Sequence, residues 1–224
     1  MPARVSAFRC GLEAIGYSVF DKPTTEPRET DTLVTWNRIR EGHGIAQRFE
    51  RAGAKVIVTE NATWGNGFVG GPWLTLTRNY HNQRGRFPIG SPARWDSLGV
   101  ALEPWRENGE TVLLPQRGIG PPGIAMPIDW ERRHRGRLRR HPGIGPCIPL
   151  RDDLARAGVV RTWGSGAAVL ACMWGIRVLS DMPEWIGAQD NTDADRLRML
   201  RELAWAQTTM AEIESGESLA RILQ

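Results

Sequence analysis

The chain has 224 residues, enough for one large domain or two small lobes. Hydrophobic residues at 41% and charged residues at 24% are values of a folded globular chain and exclude a disordered or fibrous one. The net charge of +4 is concentrated between Arg132 and Arg140, where six arginines and a histidine suit either an anionic ligand or a solvated basic face.

In chain order, a helix is expected near residues 9–16, ending at Gly16, followed by a strand at Tyr17–Phe20. Leu33–Trp36 reads as a strand, 38–52 as a helix stopped by Gly53, and Lys55–Glu60 as a second strand. This is a βαβ unit with parallel pairing. Residues 61–92 are rich in Gly, Asn, Pro and Trp with one strand at Trp73–Thr77, and a stretch of that length commonly carries function. A short helix at Ala93–Leu98 and a boundary at Pro104–Gly109 precede a second α/β series. Its strands are expected at Thr111–Pro115, Gly136–Arg139, Val159–Thr162 and Ile176–Leu179, with helices near 128–134, 150–156 and 166–174. Leu197, Leu200, Ala204, Thr208 and Ala211 recur at helical spacing and predict one helix over 194–214, with Gly216 separating a last helix that ends at Leu223. The fold class expected is α/β, with two small doubly wound, Rossmann-like lobes facing a cleft. Residues 1–108 are expected to form the first lobe, 109–195 the second, and 196–224 helices packing back across both.

Two strand ends carry the chemistry. Arg139-Arg140-His141-Pro142-Gly143 offers cations and a rigid turn, and Ser165-Gly166 opens an apolar helix whose free amides and dipole attract anions. Arg117 and Gly118 follow a third strand and can add a guanidinium and an amide. The run Gly118–Gly123 formally matches a dinucleotide fingerprint. However, Pro121 and Pro122 do not open a fingerprint helix, and the next strand ends in Arg139-Arg140-His141 rather than in an acid. Asp193-Ala-Asp195 resembles an acidic metal motif but sits where helix capping uses Asp, and His134 with His141 lacks further zinc ligands. Candidate acids and bases are Asp21, Glu60, His81 and Asp181. Cys10, Cys147 and Cys172 are odd in number and widely spaced, which reads as reduced thiols in a cytoplasmic protein. Met1–Phe20 lacks a signal-peptide core, and no apolar run is long enough to span a membrane.

On His141-Pro142, Ser165-Gly166 and Gly175-Ile-Arg-Val178, the chain resembles GT-B glycosyltransferases, particularly the compact phage and capsule-biosynthesis type with His-Pro and serine motifs. Leu203–Gln207 and Glu212–Gly216 are similar to the terminal helix of that group. The resemblance implies a metal-independent transferase with no bound cofactor that takes a nucleotide-sugar, a UDP-sugar foremost. Arg117, Gly118, Arg139, His141, Ser165 and Gly166 would hold the donor phosphates, and Glu60, His81 or Asp21 would serve as base. Related enzymes often carry an acid after the serine motif to hold the ribose; Leu170 stands there, which leaves the nucleotide open. The acceptor expected is a 5-hydroxymethylpyrimidine in double-stranded DNA of a bacteriophage, with Trp64, Trp73 and Asn82 at the acceptor, or else a capsular saccharide. A non-catalytic nucleotide- or DNA-binding α/β protein is the alternative of another class.

Overall fold

A computed structural model of the chain describes residues 2–22, 26–80, 84–116, 125–141 and 148–224. The chain forms two compact units. The first comprises Met1–His81, Gly85–Ser91 and Ala204–Gln224, and the second Asn82–Arg84 and Pro92–Leu203. The main division therefore falls between Ser91 and Pro92, against the expected 108/109, and the last segment joins the first unit.

The first unit opens with α1 (Pro2–Ala14), which Gly16 ends in a left-handed conformation at φ +90°. Tyr17–Phe20 is not a strand: it continues as coil, with Arg9 donating to the Val19 carbonyl at 3.2 Å. β1 (Thr32–Trp36), α2 (Arg40–Arg51) and β2 (Lys55–Asn61) form the expected βαβ unit, in parallel register from Thr32↔Lys55 to Trp36↔Thr59. β3 (Trp73–Arg78) then pairs antiparallel with β2. β2 is buried on both faces: Val56 and Val58 pack with Ala46 and Phe49 of α2, while Ile57 packs with Ala7 and Leu12 of α1.

The second unit runs α3 (Ala93–Asp96), β4 (Glu110–Leu114), α4 (Trp130–Arg133), β5 (Arg137–Leu138), α5 (Leu150–Asp153), β6 (Ala157–Thr162), α6 (Gly166–Met173), β7 (Arg177–Ser180) and α7 (Asp193–Leu203). Its sheet has the order β5-β4-β6-β7, and every pairing is parallel. All four strands lie within about two residues of the expected positions. Val112, Leu113, Val160 and Val178 are buried in the sheet, and helices cover it as parallel pairing requires.

The chain then returns to the first unit with β8 (Gln207–Thr209), α8 (Met210–Glu214) and α9 (Glu217–Leu223). The single helix expected over 194–214 is thus two helices separated by a strand. β8 pairs antiparallel with β3 from Trp73↔Thr209 to Thr75↔Gln207, giving a mixed sheet of order β1-β2-β3-β8. Thr209 explains the break: its hydroxyl accepts from the Glu212 amide while the Glu212 carboxylate accepts from the Thr209 amide, a capping box that starts a new helix. α8 packs tightly on α1, and a Cβ at Gly11 would lie 1.8 Å from the Ile213 carbonyl oxygen. Each unit is thus α/β, one built on a mixed sheet and one on a parallel sheet. Among the described residues no helix is long and apolar enough to cross a membrane.

Candidate functional site

The order β5-β4-β6-β7 contains a reversal. From β4 the chain steps to β5 on one side, then crosses back to β6 on the other, so the loops after β4 and β6 diverge at their carboxyl ends. Such a switch point is where open parallel sheets bind ligands. Thr162, fully buried at the end of β6, fastens this point. Its hydroxyl donates to the Leu114 carbonyl at 2.9 Å and accepts from the Ser165 amide at 2.9 Å, tying the end of β4 and the turn into α6 together.

Gly164 makes the turn at φ +67°, and a Cβ there would stand 2.1 Å from the Met182 sulfur. Ser165 is the N-cap of α6 in extended conformation, and its side chain caps no amide of the helix. The first turn of α6 holds no acidic residue. The Gly166 and Ala167 amides are first-turn donors that have no acceptor within a helix, and the dipole adds positive potential there. Ser165 and Gly166 thus occupy a strand-to-helix turn suited to an anion.

The second expected strand end is differently employed. The Arg139 amide donates to the Leu113 carbonyl at 3.0 Å, and its guanidinium pairs with Asp153 of α5 at 2.5 Å, leaving the side chain 13% exposed. Asp153 also holds Arg137 at 2.6 Å, and Arg137 reaches Glu110 at 2.9 Å. That hydrogen bond, more than any other influence, keeps the Glu110 carboxyl below the usual carboxylate range. Arg133 pairs with Asp129 and Arg140 with Glu131, each at 2.6 Å, so four of the six arginines in the basic run sit beside carboxylates of their own unit. Arg132, Arg135 and His141 are exposed. Arg117, Gly118 and Pro142 lie outside the described residues.

A cluster that no local motif announced sits at the ends of β6 and β7. The Asp181 amide donates to the Thr162 carbonyl at 3.0 Å, directly beside the turn. Oδ2 of Asp181 accepts from Trp130 Nε1 at 2.9 Å and faces His134 Nε2 at 3.1 Å. Nη1 of Arg161 lies 2.7 Å from His134 Nδ1 and 3.5 Å from Asp181 Oδ1. An arginine only donates, so Nδ1 accepts and Nε2 carries the proton that points at Asp181. Asp181 was legible as a charged residue closing a strand. Arg161 stood out only as a cation inside the apolar run Val159–Thr162, and His134 was hidden among arginines.

In the first unit the expected acceptor residues are dispersed. Glu60 is half-buried near the end of β2, opposite Thr75 in the register. Asp21 is exposed and ion-paired with Arg9 at 2.6 Å, a surface pairing rather than a base in a pocket. Trp64 and Trp73, expected to stack on a base, are instead core residues at 2% and 5% exposure. Trp64 stacks on Phe68 at 5.0 Å and meets Trp73 edge-on at 5.4 Å, so their ring faces are taken up by packing. Trp36, 42% exposed with the Arg4 guanidinium 4.8 Å from its ring centroid, is an aromatic that does reach the surface. His81 and Asn82 lie outside the described residues.

Elsewhere in that unit, buried Arg38 grips Glu50 through both carboxylate oxygens and donates to the Asn79 carbonyl, locking α2 to the end of β3. In the second unit, Asp193 and Asp195 at the start of α7 pair with Arg196 and Arg198 at 2.7 and 2.6 Å, and Asp195 also accepts from the Asp190 amide. Among the described residues no group of three or more His, Cys, Asp or Glu could hold a metal ion. No protein-family model matches the chain, and no curated protein matches it.

Proposed function

We propose that the chain is a nucleotide-sugar-dependent glycosyltransferase of GT-B type, with the donor phosphates held at the carboxyl edge of the second unit's parallel sheet. One observation carries this reading: the switch point between β4 and β6 coincides with the Gly164–Gly166 turn and the open first turn of α6. The chain's return from the second unit to the first at Ala204 also suits that fold.

In the reaction an acceptor hydroxyl oxygen bonds to the anomeric carbon of the sugar. The bond from that carbon to the phosphate oxygen breaks, and the nucleotide leaves with the extra negative charge. Fixed amides and cations facing that charge stabilise the transition state more than the ground state, and removing one such donor typically costs about 100- to 1,000-fold in rate. The acceptor hydroxyl must lose its proton to a base as the new bond forms. The acceptor we assign is a hydroxymethylated pyrimidine in DNA, supported by the chain's net charge of +4 and the exposed Arg132 and Arg135.

The test is mass spectrometry of nucleosides from hydroxymethylated DNA incubated with the chain and a panel of sugar nucleotides. A hexose or pentose increment is expected on the modified pyrimidine. A chain that retards DNA in a gel but consumes no sugar nucleotide, with DNA or with saccharide acceptors, is a binding protein and the proposal fails.

A further inference from the structure

We propose that Asn191, backed by Gln189, plugs the open edge of β7 and holds off strand addition by a second copy of this chain. The order β5-β4-β6-β7 gives the second unit's sheet two edges. β5 is only Arg137–Leu138, too short to template another strand, whereas β7 runs over Arg177–Ser180. Leu179 of β7 is 43% exposed, so this edge offers apolar surface as well as backbone. An edge of that kind invites pairing with another chain.

Both backbone groups of Val178 are taken by one side chain, on the side of β7 away from β6. Asn191 Oδ1 accepts from the Val178 amide at 2.7 Å, and Asn191 Nδ2 donates to the Val178 carbonyl at 3.1 Å. The side-chain amide thus presents the same acceptor and donor that a facing residue of an antiparallel strand would present. The plug is itself held in place. Gln189 Oε1 accepts from the Asn191 amide at 2.5 Å, and Gln189 Nε2 donates to Asn191 Oδ1 at 3.1 Å. Between them, the Asp190 amide donates to Asp195 of α7 at 2.7 Å. Asn191 sits at φ +57°, a left-handed conformation that asparagine adopts more readily than most residues.

With the plug gone, β7 is compatible with itself. Two copies related by a two-fold axis through Val178 would exchange both hydrogen bonds between the two valines. Arg177 of one copy would then lie opposite Leu179 of the other, so no arginine meets an arginine across the pair.

The test is light scattering after size exclusion, together with hydrogen exchange read by mass spectrometry, on the full chain over a range of concentrations. Folding of every variant is checked by circular dichroism. Asn191→Gly removes the side chain and keeps the left-handed backbone at no steric cost. It is expected to form a dimer at concentrations where the parent has the smaller mass. When dilute, its β7 peptide should exchange about 10-fold faster than the parent's, the worth of one ordinary hydrogen bond. Where the dimer forms, that protection should return. Asn191→Asp keeps the acceptor but turns a carboxylate oxygen on the Val178 carbonyl, so it should shift both readouts the same way and serves if the glycine variant unfolds. Leu179→Lys added to Asn191→Gly should suppress the dimer, because a lysine on an open edge blocks pairing. A folded Asn191→Gly that keeps the parent's mass at every concentration overturns the inference. Association without renewed protection of β7 overturns it as well, since the contact then lies elsewhere.

Discussion

Gly164 is the residue on which the candidate site turns. Its φ of +67° is a left-handed conformation that costs a residue with a Cβ about 1–2 kcal/mol, and the Met182 sulfur occupies the space a methyl group would need. Met182 can swing aside, but the backbone strain remains. Gly164→Ala should therefore lower stability by about 2–4 kcal/mol in urea unfolding and weaken pyrophosphate binding through displacement of the Ser165 turn.

Cys172, on the buried side of α6, offers a second measurement. Burial above all pushes its thiol up to about 12, so the native thiol stays neutral where the unfolded chain ionises. Stability from this group is complete below the ordinary thiol value and falls as pH rises toward about 12, and Cys172→Ala should flatten that part of the pH profile. Peptide mapping after alkylation at pH 8 should find exposed Cys10 labelled and Cys172 intact. At this scale the sequence was legible where a residue type has one use in its context, as with Ser165-Gly166 before an apolar helix. It misled at Trp64 and Trp73, because an indole beside a loop reads the same whether its face is packed or open.

Three strands of the parallel sheet, β4, β6 and β7, were legible because each carries a short apolar run bounded by Gly, Pro or charge, whereas β5 is only Arg137–Leu138 at the edge. The segment 194–214 was not legible. Leu197, Leu200, Ala204, Thr208 and Ala211 fit helical spacing, yet Gln207–Thr209 pair with β3, and tertiary pairing overrode the local period. The signal that would have split the helix was present as Thr209-Met-Ala-Glu212, a capping-box sequence within an apparently continuous stripe. Helix physics also separates the two roles of α6. Ala167 is half-buried in the first turn, which holds no acid. Ala167→Asp should favour the helix dipole by about 0.3–1 kcal/mol while repelling an anionic ligand from the same amides. Thermal unfolding should show unchanged or raised stability together with loss of pyrophosphate binding. Unchanged binding would remove α6 from the site.

At the scale of the whole chain, the sequence could show that two α/β series exist but not which of them the last segment completes. That depends on a pairing between β3 and β8 far apart in sequence, which no local pattern encodes. The consequence is energetic. Ile213, Leu219, Ile222 and Leu223 are buried in one cluster with Ala7, Leu12, Ile57, Leu74 and Leu76, so the tail supplies part of the first unit's core as well as an edge strand. Exposing four such side chains forfeits on the order of 6–12 kcal/mol, comparable with the roughly 5–15 kcal/mol that stabilises a typical domain. A chain ending at Leu203 keeps every strand of the second unit's sheet but leaves β3 with an open edge and Ile57, Leu74 and Leu76 without the four tail residues of their cluster. Hydrogen exchange read by mass spectrometry should then show protection lost across β1, β2 and β3 and retained across β4, β6 and β7. Protection retained in β2 and β3 would mean that the first unit folds without its tail, and the tail's place in that core would have to be abandoned.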